Sequence, residues 1–227
     1  MKSYLRDLLH VFLPQVCFSC DESLLYHEEV LCMTCLYHLP LTDFHLDNEN
    51  ETARQLWGKI NFQRAISMLY LAKSSRVEKL LYRLKYNNQP EIGIFLGKYY
   101  ARKLLEINFF EAIDIIVPVP IHRSKLRKRG YNQSSQFAKG LSTIAQVPWT
   151  DKLLARTVSS VSQTKKSRIE RYENVAGVFE LNDQTAVQGK NILLVDDVLT
   201  TGATICTVGN ILVEAGAKVS ILTIARA

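Results

Sequence analysis

The chain has 227 residues, 47% hydrophobic and 22% charged, with 10 Gly, 6 Pro, 5 Cys and a formal net charge of +6. That apolar share supports a buried core in one or two domains and excludes a wholly disordered chain. Five cysteines in this length are too sparse for a disulfide scaffold, and no apolar run approaches the ~18 residues a membrane span needs.

The opening stretch MKSYLRDLLHVFLPQVC is interrupted by Asp7, His10 and Pro14, which argues against a signal peptide and for a cytoplasmic protein. Two cysteine pairs follow, Cys17-Phe-Ser-Cys20 and Cys32-Met-Thr-Cys35, with 11 residues between them. Each pair sets two thiolates on one turn, and two pairs complete a four-thiolate tetrahedron suited to structural zinc. Spacing alone does not separate zinc from an iron–sulfur cluster, which takes the same ligands. His27 and His38 lie nearby but are superfluous to a set of four cysteines. Asp21 and Leu36 stand where a zinc knuckle usually carries Gly, so the turns depart from the regular pattern. The expected organisation is a zinc-binding module at 1–40, a polar, acid-rich linker at 41–63 and one large domain at 64–227.

Within that domain, Ala65–Ala72 reads as a strand and Arg76–Lys85 as a helix with a basic outer face. Phe95–Ile107 reads as a second helix, Ile113–Val119 as a strand, residues 121–130 as a basic loop and Asn132–Ala145 as a helix. Asn191–Val195 has the continuous apolar run of a strand buried on both faces. Ala203–Ala215 is helical and stops at Gly216, and Lys218–Ala225 is a last strand, while Cys206 is a small buried hydrophobe within the helix. Strands alternating with helices at this spacing predict an α/β fold with a parallel sheet. Charge is unevenly spread: residues 76–140 carry 13 basic against 5 acidic side chains, and residues 152–171 carry 6 against 1. A basic middle points to a phosphate or polyanion surface.

The segment ILLVDDVLTTGAT at 192–204 joins a buried strand to a helix start through two acids and a Thr/Gly turn. Open α/β sheets bind ligands in this crevice. Free N–H groups of the helix start, Gly202 and the hydroxyls of Thr200, Thr201 and Thr204 suit a phosphate. Asp196 and Asp197 would repel that phosphate, so they face hydroxyls, a metal ion or both. A sugar phosphate satisfies the two halves together.

VDDVLTTGAT resembles the phosphoribosyl-pyrophosphate (PRPP) signature of type I phosphoribosyltransferases. The order of cysteine pairs, VPVPIHRSKLRKRGYNQ at 117–133, Gln163, Arg171 and Asn174, and this signature resembles the ComF family of bacterial competence proteins, over nearly the whole chain. The resemblance implies a type I phosphoribosyltransferase fold behind a small four-cysteine zinc module. It implies that Asp196 and Asp197 meet the ribose hydroxyls, directly or beside Mg²⁺, and that Thr200, Thr201, Gly202, Ala203 and Thr204 hold the 5′-phosphate. Arg123, Lys125, Arg127 and Arg129 would then meet pyrophosphate or DNA, and residues 156–174 would be a flap contributing Lys165, Lys166, Arg168 and Arg171. It also implies a role in DNA uptake during natural transformation, with single-stranded DNA and other competence proteins as partners. Tyr82, Tyr86, Tyr99, Tyr100 and Tyr131, interspersed among the charges, are candidates for stacking on bases. The competing expectations are an active salvage or biosynthetic phosphoribosyltransferase with an unidentified acceptor, and a regulator that senses PRPP. Neither a nucleobase-recognising motif nor a general base is identifiable.

Overall fold

The computed structural model describes residues 15–157 and 178–227. Its centre is a four-stranded parallel sheet in the order β1 (Ala65–Tyr70), β6 (Lys218–Arg226), β5 (Asn191–Leu199) and β2 (Ile115–Pro118). On β5, Val195 lies opposite Leu222 of β6 and Pro118 of β2, so the strand is paired on both edges. Strand periodicity divides the core in two. Ile66, Met68, Leu193, Val195 and Leu222 pack beneath α3 (Arg76–Tyr86), α4 (Glu91–Leu105) and α6 (Gln133–Ala145). Val117, Ile192, Leu194, Val219 and Ile221 pack on the opposite face against α7 (Ala203–Glu214). Helices on both faces explain why residues 192–195 are apolar without alternation. A separate antiparallel pair, β3 (Leu154–Arg156) and β4 (Phe179–Leu181), adds Leu154 and Phe179 to the second core.

Several elements depart from expectation. The basic segment predicted as a loop forms a helix, α5 (Arg123–Arg129), in which no residue is buried. The His122 side chain caps its start by accepting from the Ser124 N–H, and Gly130 closes its end at φ +82°. Strand β5 continues past Val195 to Leu199, so Asp196 and Asp197 belong to the strand itself. Helix α4 begins at Glu91, directly after Pro90, four residues ahead of the predicted start.

Residues 41–63, expected as a connector from their polar composition, form ordered structure. They carry a 3₁₀ turn, Phe44–Leu46, and the short helix α2 (Glu51–Leu56), with Ala53 and Leu56 fully buried. Asn50 caps α2 through its Oδ1, and its Nδ2 donates to the Ala65 carbonyl at 2.9 Å. A buried hydroxyl chain links Thr52 to Ser67 and Ser67 to Thr223, each at 2.7 Å, tying α2 to β1 and β6. Thr223 donates onward to the Ala225 carbonyl at 3.2 Å, so each hydroxyl of the chain has a partner despite its burial.

The cysteine-bearing segment, with α1 (Met33–Tyr37), packs against α3, and Cys17, Val30, Leu31, Cys35 and Leu39 join the first core. Among the described residues no helix is long and apolar enough to cross a membrane.

Candidate functional site

At its carboxyl end, β5 delivers Asp196 and Asp197 beside the turn that opens α7. Thr200, Thr201, Gly202, Ala203 and Thr204 line a small polar cavity of about 40 Å³ together with Asp196. Gly202 is the N-cap of α7 at φ +81°, with no side chain closing the helix end. A Cβ at that position would adopt a strained left-handed backbone and sit 2.8 Å from Leu56 Cδ2 of α2, which would have to move aside. The Thr201 hydroxyl accepts from the Ala203 N–H at 3.3 Å, and Gln55 Nε2 donates to the Thr200 carbonyl. The turn thus presents its remaining N–H groups, and the positive end of the α7 dipole, to the cavity. Gln55 and Leu56 make the segment at 41–63 the backing of this turn, a part its sequence did not advertise.

The two acids are handled differently. Asp197 Oδ2 pairs with Lys85 Nζ at 3.0 Å, from the last turn of α3. Asp196 Oδ1 accepts from Ser134 Oγ at 3.0 Å and from the Asp197 N–H at 2.8 Å. Burial, and then the charge of Asp197, push the Asp196 carboxyl up to about 7, against the stabilising pull of those two donors and of Lys85. Arg156 of β3 lies in the same field. Burial lowers it and Asp196 opposes that shift, while its buried Nε has no hydrogen-bond partner among the described residues. Lys85, Ser134 and Arg156 were not singled out in the sequence. Each reads locally as a surface charge or a helix start, and only the fold brings them to the acids.

A raised carboxyl has a consequence for stability. The folded state holds its proton more tightly than the unfolded chain, so stability falls as pH rises from about 4 toward about 7, and the penalty persists above. Asp196→Asn keeps an acceptor for Ser134 and cannot ionise. We expect it to raise the melting temperature at pH 8 and to match the native chain at pH 5, where Asp196 is protonated. Thermal melts across that range check the sign.

The basic residues fall in two groups. Arg123, Lys125 and Arg127 are exposed on α5, which follows β2 at the carboxyl edge of the sheet. Arg129 is half-buried, donates to Gln133 Oε1 at 2.7 Å and lies over the Tyr86 ring. Lys165, Lys166, Arg168 and Arg171 lie outside the described residues.

Away from this crevice, Cys17, Cys20, Cys32 and Cys35 gather their four sulfurs within 4.8 Å of one another. The Cys20 and Cys32 sulfurs are 3.7 Å apart, close to the ~3.8 Å edge of a tetrahedron with Zn–S bonds of ~2.3 Å. Cys17 Sγ accepts N–H groups from Ser19 and Cys32, and Cys32 Sγ accepts from Cys35. Burial opposes ionisation of Cys17, yet the N–H groups of Cys32, Cys20 and Ser19 bring it down to about 7. The donor set fits a four-thiolate metal site. Asp21 takes the glycine-like conformation at φ +66°, which Asp tolerates better than most residues. Its carboxylate pairs with both Lys79 and Arg83 on α3 at 2.5 Å, and Arg76 Nη1 lies 3.8 Å from Cys35 Sγ. The departure from glycine therefore serves to dock the module on α3.

Comparison with known proteins agrees with this architecture. The phosphoribosyl transferase domain family matches residues 129–227. Of solved structures, a glutamine PRPP amidotransferase from B. subtilis is 21% identical with a TM-score of 0.44, over 63% of this chain and 30% of its own. An adenine phosphoribosyltransferase is 20% identical with a TM-score of 0.39, over 65% of this chain and 75% of its own. The family match covers the part of the large unit that holds α6, β5, α7 and β6, and with them the crevice at Asp196 and Asp197. Relatives by sequence include the DNA utilization protein YhgH of Escherichia coli K12, 28% identical over 84% of this chain and 81% of its own. Competence protein F of Haemophilus influenzae is 28% identical over 65% and 67%, and competence protein ComFC of Bacillus subtilis is 33% identical over 66% and 60%. The chain is similar to these DNA utilization and competence proteins, and its four-cysteine cluster precedes the residues that match the phosphoribosyl transferase domain.

Proposed function

We propose that this protein binds a sugar phosphate of the PRPP type, with Mg²⁺, in the crevice at the end of β5, and single-stranded DNA on the adjoining basic surface, acting in DNA uptake during natural transformation. The observation that carries the reading is the juxtaposition of an acid pair, a helix start with glycine at its N-cap and the solvent-projecting basic helix α5 along one edge of the sheet. Thr200, Thr201, Gly202, Ala203 and Thr204 cradle the 5′-phosphate. Asp196 and Asp197 offer the oxygen ligands that Mg²⁺ and ribose hydroxyls prefer, and Mg²⁺ there takes over from Lys85 as counter-charge to Asp197. Arg123, Lys125, Arg127 and Arg129 supply guanidinium and ammonium donors for pyrophosphate or a DNA backbone. Lys165, Lys166, Arg168 and Arg171 are proposed as further ligands of the same phosphates. Zinc at the four cysteines is structural, since four thiolates leave no open position. The relatives' names, DNA utilization and competence, support the link to DNA.

Fluorescence anisotropy of a labelled single-stranded oligonucleotide, with and without Mg²⁺–PRPP, tests the reading. Salt-sensitive binding that PRPP displaces is the expected result. Replacing Arg123, Lys125 and Arg127 by Ala should lower the slope of log affinity against log salt by about 2, at ~0.7 for each phosphate no longer neutralised. Asp196→Asn with Asp197→Asn should abolish the thermal shift given by Mg²⁺–PRPP while leaving DNA binding in place. No DNA binding, alongside pyrophosphate release from PRPP with some nucleobase, would instead establish a salvage or biosynthetic enzyme.

A further inference from the structure

Helix α3 carries an aromatic pair that the fold does not need. Of the five tyrosines among the basic residues, Tyr100 and Tyr131 are core side chains, 1% and 9% exposed. Tyr99 is only partly buried but packs against that core. Tyr82 and Tyr86 are 58% and 55% exposed, one helical turn apart, with ring centroids 4.9 Å apart and planes tilted at 44°. They stand on the face opposite Val77, Leu80, Leu81 and Leu84, which hold α3 to the sheet. An exposed pair at this spacing adds little to a helix.

Its surroundings are cationic at both ends. Arg129, from the last turn of α5, lies 5.0 Å over the Tyr86 ring and joins the pair to the basic helix. Beside Tyr82 a groove of about 380 Å³ opens between Ser74, Ser75, Arg76, Glu78 and Lys79. The acids there are already engaged: Glu78 Oε2 accepts from the Ser74 N–H at 2.6 Å, and Asp21 is shared by Lys79 and Arg83. The surface therefore runs from the five basic residues of α5, across two exposed, mutually tilted rings, to Arg76.

We infer that Tyr82 and Tyr86 form a base-stacking platform for single-stranded DNA, whose backbone follows the basic residues from α5 to Arg76. The inference rests on the DNA-binding reading above and places the bases outside the sugar-phosphate crevice. Stacking requires unpaired bases, so the platform distinguishes single strands from duplex, which offers the same phosphates with its base faces hidden.

The test compares Tyr82→Ala/Tyr86→Ala, Tyr82→Phe/Tyr86→Phe and the native chain against one oligonucleotide, single-stranded and annealed. The alanine pair should weaken single-strand binding at least about 30-fold, equivalent to about 2 kcal/mol, and leave duplex affinity, salt slope and the Mg²⁺–PRPP thermal shift unchanged. The phenylalanine pair, which keeps the rings, should bind like the native chain. Photo-crosslinking of a 5-bromouracil-substituted strand to the native chain gives an independent readout, with adducts expected on Tyr82 or Tyr86. Unchanged single-strand affinity in the alanine pair, or adducts confined to other segments, overturns the platform and leaves the DNA-binding reading intact. Absence of any salt-dependent affinity in the native chain overturns both.

Discussion

Gly140→Ala should destabilise the protein by at least about 2 kcal/mol, lowering the melting temperature by roughly 4–8 °C for a chain of this size. In helix α6, a Cβ at position 140 would lie 2.2 Å from the Ile94 carbonyl oxygen of α4, 2.9 Å from the Ile94 carbonyl carbon and 3.0 Å from the Gly97 Cα. All three are backbone atoms, so no side chain can swing aside. Helix propensity favours Ala over Gly by about 1 kcal/mol, whereas overpacking a tight interface typically costs about 1–3 kcal/mol. Here relief requires the two helices to separate, which places the cost at or beyond the upper end. Gly97→Ala meets the same interface from the other side, 2.4 Å from the Phe137 carbonyl oxygen. The double variant should therefore cost less than the two singles together, because separation serves both methyl groups. Denaturant melts of the four proteins measure this. Helix α6 also presents Ser134 to Asp196, so the single variant should weaken Mg²⁺–PRPP binding along with stability.

What could be read from the sequence follows from which residues are buried. β5 and α7 were legible because a continuous apolar run, two acids and Thr-Thr-Gly occupy consecutive positions, and consecutive residues are what a sequence displays. The cysteine cluster was legible for the same reason. Helix α5 was not. With no buried residue it has no apolar period, and only Gly130 after a basic last turn marked its end. Residues 41–63 hid their structure in another way. α2 is held by Asn50, Thr52, Ala53 and Leu56, too few and too polar to produce a periodic pattern. Lys85 and Arg156 belong to the site through tertiary placement alone. Lys85 sits on what looks like an ordinary basic face, and nothing local marks it as the partner of an acid 112 positions away. The tyrosines show the limit most directly, since composition offered five and burial leaves two on the surface.

Replacing Cys17 and Cys35 by Ser should abolish metal binding at the cluster and unfold the segment around it, lowering the melting temperature by at least about 6 °C. Structural zinc sites of this kind are worth about 10–16 kcal/mol of apparent binding energy in isolated modules, and that energy is folding energy. Part of it is replaceable here, because Val30, Leu31 and Leu39 are buried against the large domain. A net loss of only about 3 kcal/mol would still shift the transition by roughly 6–12 °C. The effect should also spread. Without an ordered turn at Asp21, Lys79 and Arg83 are deprived of their shared carboxylate, and Arg76 of the sulfur cluster it faces. Those three residues lie on the helix whose last turn carries Lys85, the counter-charge of Asp197. On the proposed reading, a metal at the cluster supports the crevice at the end of β5 from the far end of α3, and the serine variant should bind Mg²⁺–PRPP more weakly although no cysteine lines that crevice. Metal analysis should give about one zinc per native chain and none in the variant, with Cys206→Ser unchanged because its sulfur lies in α7, outside the cluster. A brown protein containing iron and sulfide would keep the same four ligands and replace zinc by an iron–sulfur cluster. A variant that keeps its metal, its melting temperature and its PRPP response would mean that packing against α3, rather than the metal, holds the segment folded.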